Sequence, residues 1–277
     1  MTTALVTDSS AQMPVGLRER YDVRVVPLTV VVDGQPYREG VDLTTTDFYE
    51  RLGRGAEVST SAPSPGDVMN VYEESAAAGA TEILSIHIGS NTSATVNAVK
   101  LAMGGSPVPV EVVDTGTASF AVSCCVWAAG EVLARGGKLG PAAEAARSTA
   151  SEVGNVFIVG ALDLARRGGR LAAGAEGSGA GESVPVLVLA DGQIRTVAQV
   201  HDRARALTAM TDYVRASAAG RAQRVGVGDA LAGGLADDFE ARLRPLPEVA
   251  EVVRYEIGPS VGAHTGPGTV GACFFPA

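Results

Sequence analysis

The chain is short of cysteine, histidine, positive charge and long apolar runs, and each shortage removes a class of explanation. Its three cysteines, Cys124, Cys125 and Cys273, have no CxxC spacing and two are adjacent, so they form neither a disulfide framework nor a zinc site and read as small core residues. Lys and Arg number 22 against 31 Asp and Glu, and the net charge of −9 repels phosphate backbones and anionic membrane surfaces, which excludes nucleic acid as an expected partner. No apolar run approaches a membrane span and no basic-then-apolar leader opens the sequence, so stable membrane insertion is not expected and the cytoplasm is the expected compartment. The P-loop pattern is missing. Gly226-Val227-Gly228 follows an expected strand, but Leu231 stands where a dinucleotide fingerprint needs its third glycine, so it reads as a structural turn. Neither a cofactor nor a metal is expected.

What is present is material for a core: 277 residues, 46% of them hydrophobic, enough for two domains of ordinary size. A β-branched run over 23–32, broken by Pro27, ends at Asp33-Gly34, a hairpin signal. Ser64-Pro65-Gly66-Asp67 supplies an N-cap, a proline at the first helical position and an acid at the third, so a helix is expected from Pro65. Strands over 82–88 and 110–113 alternate with helices over 92–103, 118–135 and 141–153, which predicts a largely parallel sheet. Beyond 154 the pattern changes to strands over 156–159, 184–189, 194–200, 224–227, 249–255 and 270–275, a hairpin at Asp191-Gly192, and helices over 203–214 and 231–243. The fold class is therefore α/β in two domains. The first, 1–154, has a mostly parallel sheet with flanking helices; the second, 155–277, has a mixed sheet with helices. The low-complexity stretch Ala172 to Gly181 is expected as a mobile loop.

A parallel sheet binds ligands at the carboxyl ends of its strands, and three expected strand ends are polar: Asp8-Ser9-Ser10, Gly89-Ser90-Asn91 and Asp114-Thr115. Ser59, Thr60, Ser61 and Ser64 cluster before the helix at Pro65, and Ser90, Thr92, Ser93 and Thr95 repeat the arrangement before the next helix. Hydroxyls beside unpaired amide groups suit a carboxylate or phosphate, although helix capping alone accounts for the same residues. Arg170, held beyond Gly168-Gly169, is aimed either at an anion or at solvent. His264 stands on a glycine-rich loop between two strands, where little side-chain bulk competes with a ligand, whereas His87 and His201 read as structural.

In order, VTDSSAQMP at 6–14, EGVDLTTTDFYERL at 39–52, STSAPSPGDV at 59–68, SNTSATVNA at 90–98, VVDTGTASFA at 112–121, RRGGRL at 166–171 and IGPSVGAHTGPG at 257–268 resemble the DegV family, whose members include the fatty acid-binding subunits of bacterial fatty acid kinase. The resemblance spans nearly the whole chain. It implies a two-domain α/β fold related to the substrate-binding part of dihydroxyacetone kinases, with a long-chain fatty acid buried between the domains. It also implies a headgroup held by Thr60, Ser61 and Ser93, with Arg170 and His264 serving phosphoryl transfer and the ATP-binding kinase a separate protein. On this reading the chain is a substrate-binding subunit that catalyses nothing by itself. The sequence departs from the family pattern at Ala62, where glutamine is usual, at Ala94 within Thr92-Ser93-Ala94-Thr95, and after Arg170, where an apolar helix is usual. A second reading is an enzyme or phosphotransfer subunit, dihydroxyacetone-kinase-like, acting on a small carbonyl or hydroxy compound through His264. A third is a pure binding or sensing module.

Overall fold

The computed structural model describes residues 2–167, 169 and 183–277; Arg170 and the stretch expected as a mobile loop lie outside the described residues. The chain divides into two compact units, Met1–Ser151 with Gly258–Ser260, and Glu152–Ile257 with Val261–Ala277.

The first unit opens with β1 (Thr3–Asp8), a 3-10 turn at Ser9–Ala11, α1 (Val15–Arg20) and β2 (Val23–Val26). Next come β3 (Thr29–Val32), β4 (Gln35–Arg38), α2 (Thr45–Gly53) and β5 (Val58–Ser61). It continues through α3 (Pro65–Ala77), β6 (Glu82–His87), α4 (Thr95–Met103), β7 (Val110–Asp114), α5 (Phe120–Ala134) and α6 (Leu139–Glu152). Four strands form the parallel sheet β2-β1-β6-β7, with Leu5 in register between Val23 and Leu84. Pro27 does more than interrupt a strand. The β-branched run splits between two sheets, β2 joining the parallel one and β3 lying between β4 and β5 in a small antiparallel one. Asp33 and Gly34, at φ 50° and 79°, make the tight turn between β3 and β4.

Both faces of the parallel sheet are covered, and its strands present apolar residues to each. On one face Leu5, Leu84, Ile86 and Val113 meet Val122, Cys125, Val126 and Ala129 of α5 and Ala142 and Ala146 of α6. On the other, Val6, Val26 and Ile83 meet Val68, Val71 and Tyr72 of α3 and Val99 of α4. All three cysteines are buried, consistent with their reading as core residues. Trp127 of α5 is also fully buried, a site where truncation to alanine costs about 3–5 kcal/mol.

The second unit contains β8 (Gly154–Ile158), α7 (Leu162–Arg167), β9 (Val184–Ala190), β10 (Gln193–Val200), α8 (Arg203–Ala218), β11 (Gln223–Asp229), α9 (Gly233–Leu243), β12 (Val249–Glu256), α10 (Pro259–Thr265) and β13 (Val270–Pro276). Among the described residues its sheet runs β10-β9-β8-β13-β11-β12; β11 and β12 are parallel and the other neighbours antiparallel, which makes it mixed as the sequence indicates. Leu207, Met210 and Val214 of α8 and Phe239 and Leu243 of α9 pack against Val156, Val225, Val227 and Phe274. Gly226 and Gly228 lie inside β11 and not in a turn. A side chain at 228 would place its Cβ 2.1 Å from Cζ of Tyr255, so this glycine makes room for the ring on the neighbouring strand. Among the described residues no helix is long and apolar enough to cross a membrane.

Candidate ligand-binding site

The carboxyl edge of the parallel sheet concentrates the polar groups of the first unit. Helices α3 and α4 pack on the same face, each running back toward the strand starts. Thr81, just after α3, donates its N–H to the Thr2 carbonyl at 2.9 Å, beside the beginning of β1. Both helices therefore begin toward the carboxyl edge, where their unpaired N–H groups and positive dipole ends favour an anion.

Beneath that edge lies a buried polar chain. Asp8, at the end of β1, is fully buried. Its Oδ1 accepts the Ser10 N–H at 3.1 Å and the Ser10 hydroxyl; its Oδ2 accepts the Ile88 N–H at 3.0 Å and meets Nδ1 of His87 at 2.9 Å. A carboxylate only accepts, so Nδ1 of His87 donates to it, and Nε2 shares a hydrogen bond of 2.6 Å with the Ser85 hydroxyl. The Ser85 hydroxyl shares a second bond, of 2.9 Å, with the Tyr72 hydroxyl. Burial pushes Tyr72 up to about 12, with the bond to Ser85 acting in the opposite sense. The order Ser85, His87, Asp8 has the connectivity of a nucleophile relay, but all three side chains are wholly buried, so the chain is a structural brace under the loops. It gives His87 the structural place that the sequence indicates.

Ser93 stands in the loop between β6 and α4. Its N–H donates to the Gly89 carbonyl at 2.9 Å, its oxygen accepts the Thr95 N–H at 3.3 Å, and the two hydroxyls share a bond of 2.8 Å. Ala94, at the helix cap, offers no side-chain acceptor, so Ser93 supplies one in its place. Across the loop the Asp114 carboxylate accepts the N–H groups of Ser90 at 3.0 Å and Gly116 at 3.1 Å. Partial burial works against its charge, but the Ser90 and Gly116 donors and Lys100 hold it below the usual carboxylate range. Gly89 is required here: a Cβ would lie 2.6 Å from the Gly116 backbone.

Thr60 and Ser61 lie on β5, paired with Val30 and Thr29. Successive residues of a strand point to opposite faces, so the two hydroxyls leave β5 on opposite sides, Thr60 half-buried and Ser61 exposed and bonded to the Ala62 carbonyl at 3.3 Å. Ser64 is occupied in a reciprocal capping box with Asp67, as its sequence spacing indicates.

His264, expected on an open loop, belongs to the last turn of α10 and is half-buried. The glycines around it serve packing instead of openness. A Cβ at Gly160 would fall 1.6 Å from the Pro267 carbonyl oxygen, and one at Gly266 would fall 2.6 Å from Cβ of Ala161. Ala161 N–H donates to the Thr265 carbonyl at 3.1 Å, and Gly160 N–H to the Thr269 hydroxyl oxygen at the same distance. Thr60, Ser61 and Ser93 thus belong to the first unit and His264 to the second, while Arg170 is outside the described residues. Among the described residues no group of three His, Cys, Asp or Glu could hold a metal ion.

Sequence reasoning missed Glu39, a buried carboxyl whose side chain bonds Ser9 and Ser260. A signal for the brace was present: Ser85 and His87 stand two apart in an otherwise apolar strand and so share one face.

The DegV family model, described as "Uncharacterised protein, DegV family", matches residues 2–277. A DegV domain-containing protein of Streptomyces coelicolor is 35% identical over 270 residues, covering 97% of this chain and 96% of its own length. Among solved structures, a DegV family protein from Thermus thermophilus, described by its fatty acid binding, is 33% identical with a TM-score of 0.92 and covers 100% of each chain. DegV of Bacillus subtilis, described as a fatty acid binding protein, is 26% identical with a TM-score of 0.87, again covering 100% of each chain.

Proposed function

This chain belongs to the DegV family, and from that premise we propose that it binds a long-chain fatty acid and presents the carboxylate to a separate ATP-binding kinase for acyl phosphate formation. The observation that carries the reading is the full-length likeness to the Thermus thermophilus protein, described by its fatty acid binding.

In this proposal Ser93, with one hydroxyl of the Thr60–Ser61 pair of β5, holds the carboxylate at the start of α4, where the hydroxyl and the dipole both favour negative charge. A carboxylate is a poor nucleophile toward ATP. Fixing it in place removes the entropy of a loose encounter, and sheltering the product limits hydrolysis. A carboxylate oxygen attacks the γ-phosphorus, the bond from that phosphorus to the β–γ bridging oxygen breaks, and ADP leaves as the acyl phosphate forms. His264 and Arg170 are assigned to charge on the transferring group, and the partner kinase is assigned to hold ATP.

The test is native mass spectrometry of protein purified from cells, followed by titration with oleate and palmitate. A bound fatty acid is expected, and Ser93→Ala is expected to weaken oleate binding by about 10- to 150-fold, the equivalent of roughly 1.5–3 kcal/mol for a hydrogen bond to a charged group. His264→Ala is expected to bind oleate normally while lowering kinase-dependent ADP release. A preparation that never carries a fatty acid and does not bind added oleate or palmitate overturns the reading.

A further inference from the structure

Glu39 is a buried carboxyl group for which the proposed chemistry has no task. It follows β4, is 7% exposed, and donates its own N–H to the Leu28 carbonyl at 2.9 Å. Its Oε1 accepts the N–H of Ser260 at 2.9 Å. Its Oε2 shares a very short hydrogen bond with the Ser9 hydroxyl, whose oxygen also accepts the Leu28 N–H at 2.9 Å. Beside it, Oε1 of Gln12 accepts the N–H of Gly258 at 2.7 Å. Two side chains from the beginning of the chain therefore hold the backbone of Gly258–Ser260, a tripeptide that groups with the first unit. Glycine at 258 leaves space for the carboxyl: a Cβ there would stand 2.9 Å from Oε1 of Glu39. The helix α10 begins inside this tripeptide, at Pro259, and bears His264 in its last turn.

We propose that Glu39 is a positioning residue for His264: with Gln12 it clamps Gly258–Ser260 and so fixes the start of the helix that carries the imidazole. Its importance for phosphoryl transfer rests on the function proposed above; the clamp itself does not. The charged group whose field reaches Glu39 is Asp8 of β1, while Arg38 and Asp42, its neighbours along the chain, are exposed and paired with each other. Burial is the largest influence and pushes the Glu39 carboxyl above its ordinary value of 4.5; the Ser260 N–H and the Ser9 hydroxyl oppose this, and Asp8 adds to it. The neutral acid donates from Oε2 to Ser9 and still accepts the Ser260 N–H at Oε1, so the clamp is complete in that form. A folded-state value above the unfolded one means that the stabilisation is full below the ordinary carboxyl value and is lost as pH rises through the raised one.

Histidine labelled with 13C in the ring gives signals from only three residues, and His264→Ala identifies that of His264. Followed across pH 4.5 to 9 (about the stable range expected of a folded chain), the wild-type His264 signal is expected to show an inflection that comes from Glu39. Glu39→Gln, which keeps an acceptor for Ser260 and a donor for Ser9, should reproduce the low-pH wild-type position and lose that inflection. Glu39→Ala and Gln12→Ala should displace the His264 signal at every pH. A Glu39→Gln profile that superimposes on wild type, or an unmoved signal in both Gln12→Ala and Glu39→Ala, overturns the proposal; if Glu39→Ala does not fold, the other two variants decide. Oleate titration of the same samples keeps the two readings apart. Wild-type protein that binds no oleate removes the functional reading and leaves the clamp, whereas oleate binding beside an unmoved His264 signal removes the clamp alone.

Discussion

Asp8→Ala removes, from the core of the first unit, the acceptor on which four donors converge: the N–H groups of Ile88 and Ser10, the Ser10 hydroxyl and Nδ1–H of His87. Asp8 and His87 are both wholly buried, so solvent does not replace the lost partner. Each buried donor left unpaired costs about 1–3 kcal/mol, but relaxation and a trapped water recover part of the sum. The net loss should be roughly 3–5 kcal/mol, the range for removing one member of a buried pair. That is a large part of the ~5–15 kcal/mol that holds a domain folded. Trp127 is the chain's single tryptophan and is buried in α5 of the same unit, so its fluorescence reports the unfolding of that unit. Urea titration at neutral pH should show the transition moved to lower urea with its slope unchanged. Tyr72→Phe is the internal comparison. It takes away only the far end of the chain and leaves the bond between Ser85 and His87, so its cost should be about 0.5–1.5 kcal/mol. A loss below ~1 kcal/mol for Asp8→Ala, or one equal to that of Tyr72→Phe, refutes the view that the brace is anchored on Asp8.

Gly160→Ala should destabilise the second unit by about 3 kcal/mol, because the new methyl would meet a backbone carbonyl that cannot swing aside and the bonds from Gly160 and Ala161 to the 265–269 segment would open. Faster amide exchange in α10 and β13 checks this, and unchanged exchange counts against it. Tyr72 should ionise near pH 12 in the folded protein, as read by ultraviolet difference absorption, and Tyr72→Phe should abolish that step. Its folded-state value lies above the ordinary 10.0, so the stability it lends is intact below pH 10.0 and fades as pH climbs to about 12; Tyr72→Phe should flatten that part of the stability curve.

Local chemistry made much of the fold legible. Ser64, Pro65 and Asp67 carry the start of α3 in their spacing, and Asp33-Gly34 and Asp191-Gly192 adopt the positive φ angles that their hairpins demand. The small antiparallel sheet was less visible because β4, Gln-Pro-Tyr-Arg, has neither apolar alternation nor a full set of N–H donors; it is a strand because the turn lays it against β3. Long-range pairings were not visible at all. Asp8 and His87 are 79 residues apart, and Glu39 and Ser260 are separated by 221, so no local periodicity marks them. The glycines near His264 misled for the same reason. Glycine signals close approach, but the approaching backbone, at Gly160 and Ala161, lies a hundred residues earlier in the chain.

The hydroxyls at the carboxyl edge also differ in what a headgroup would have to displace, and this ranks them under the proposed function. Ser64 is held by Asp67 and Ser10 by Asp8, so recruiting either would break a charge-assisted bond. Ser61 is exposed, where water competes for its donor. Ser93 is half-buried and bonded to Thr95 in a pair where either hydroxyl is able to donate. If an incoming carboxylate takes the proton of Ser93, the Thr95 hydroxyl turns to donate to Ser93, and the Thr95 N–H continues to point at the same oxygen. No bond is forfeited, and the aligned donors polarise one another toward the anion. Of these four, Ser93 is therefore the hydroxyl that a fatty acid headgroup engages at least cost, and the start of α4 is where the proposed site is centred.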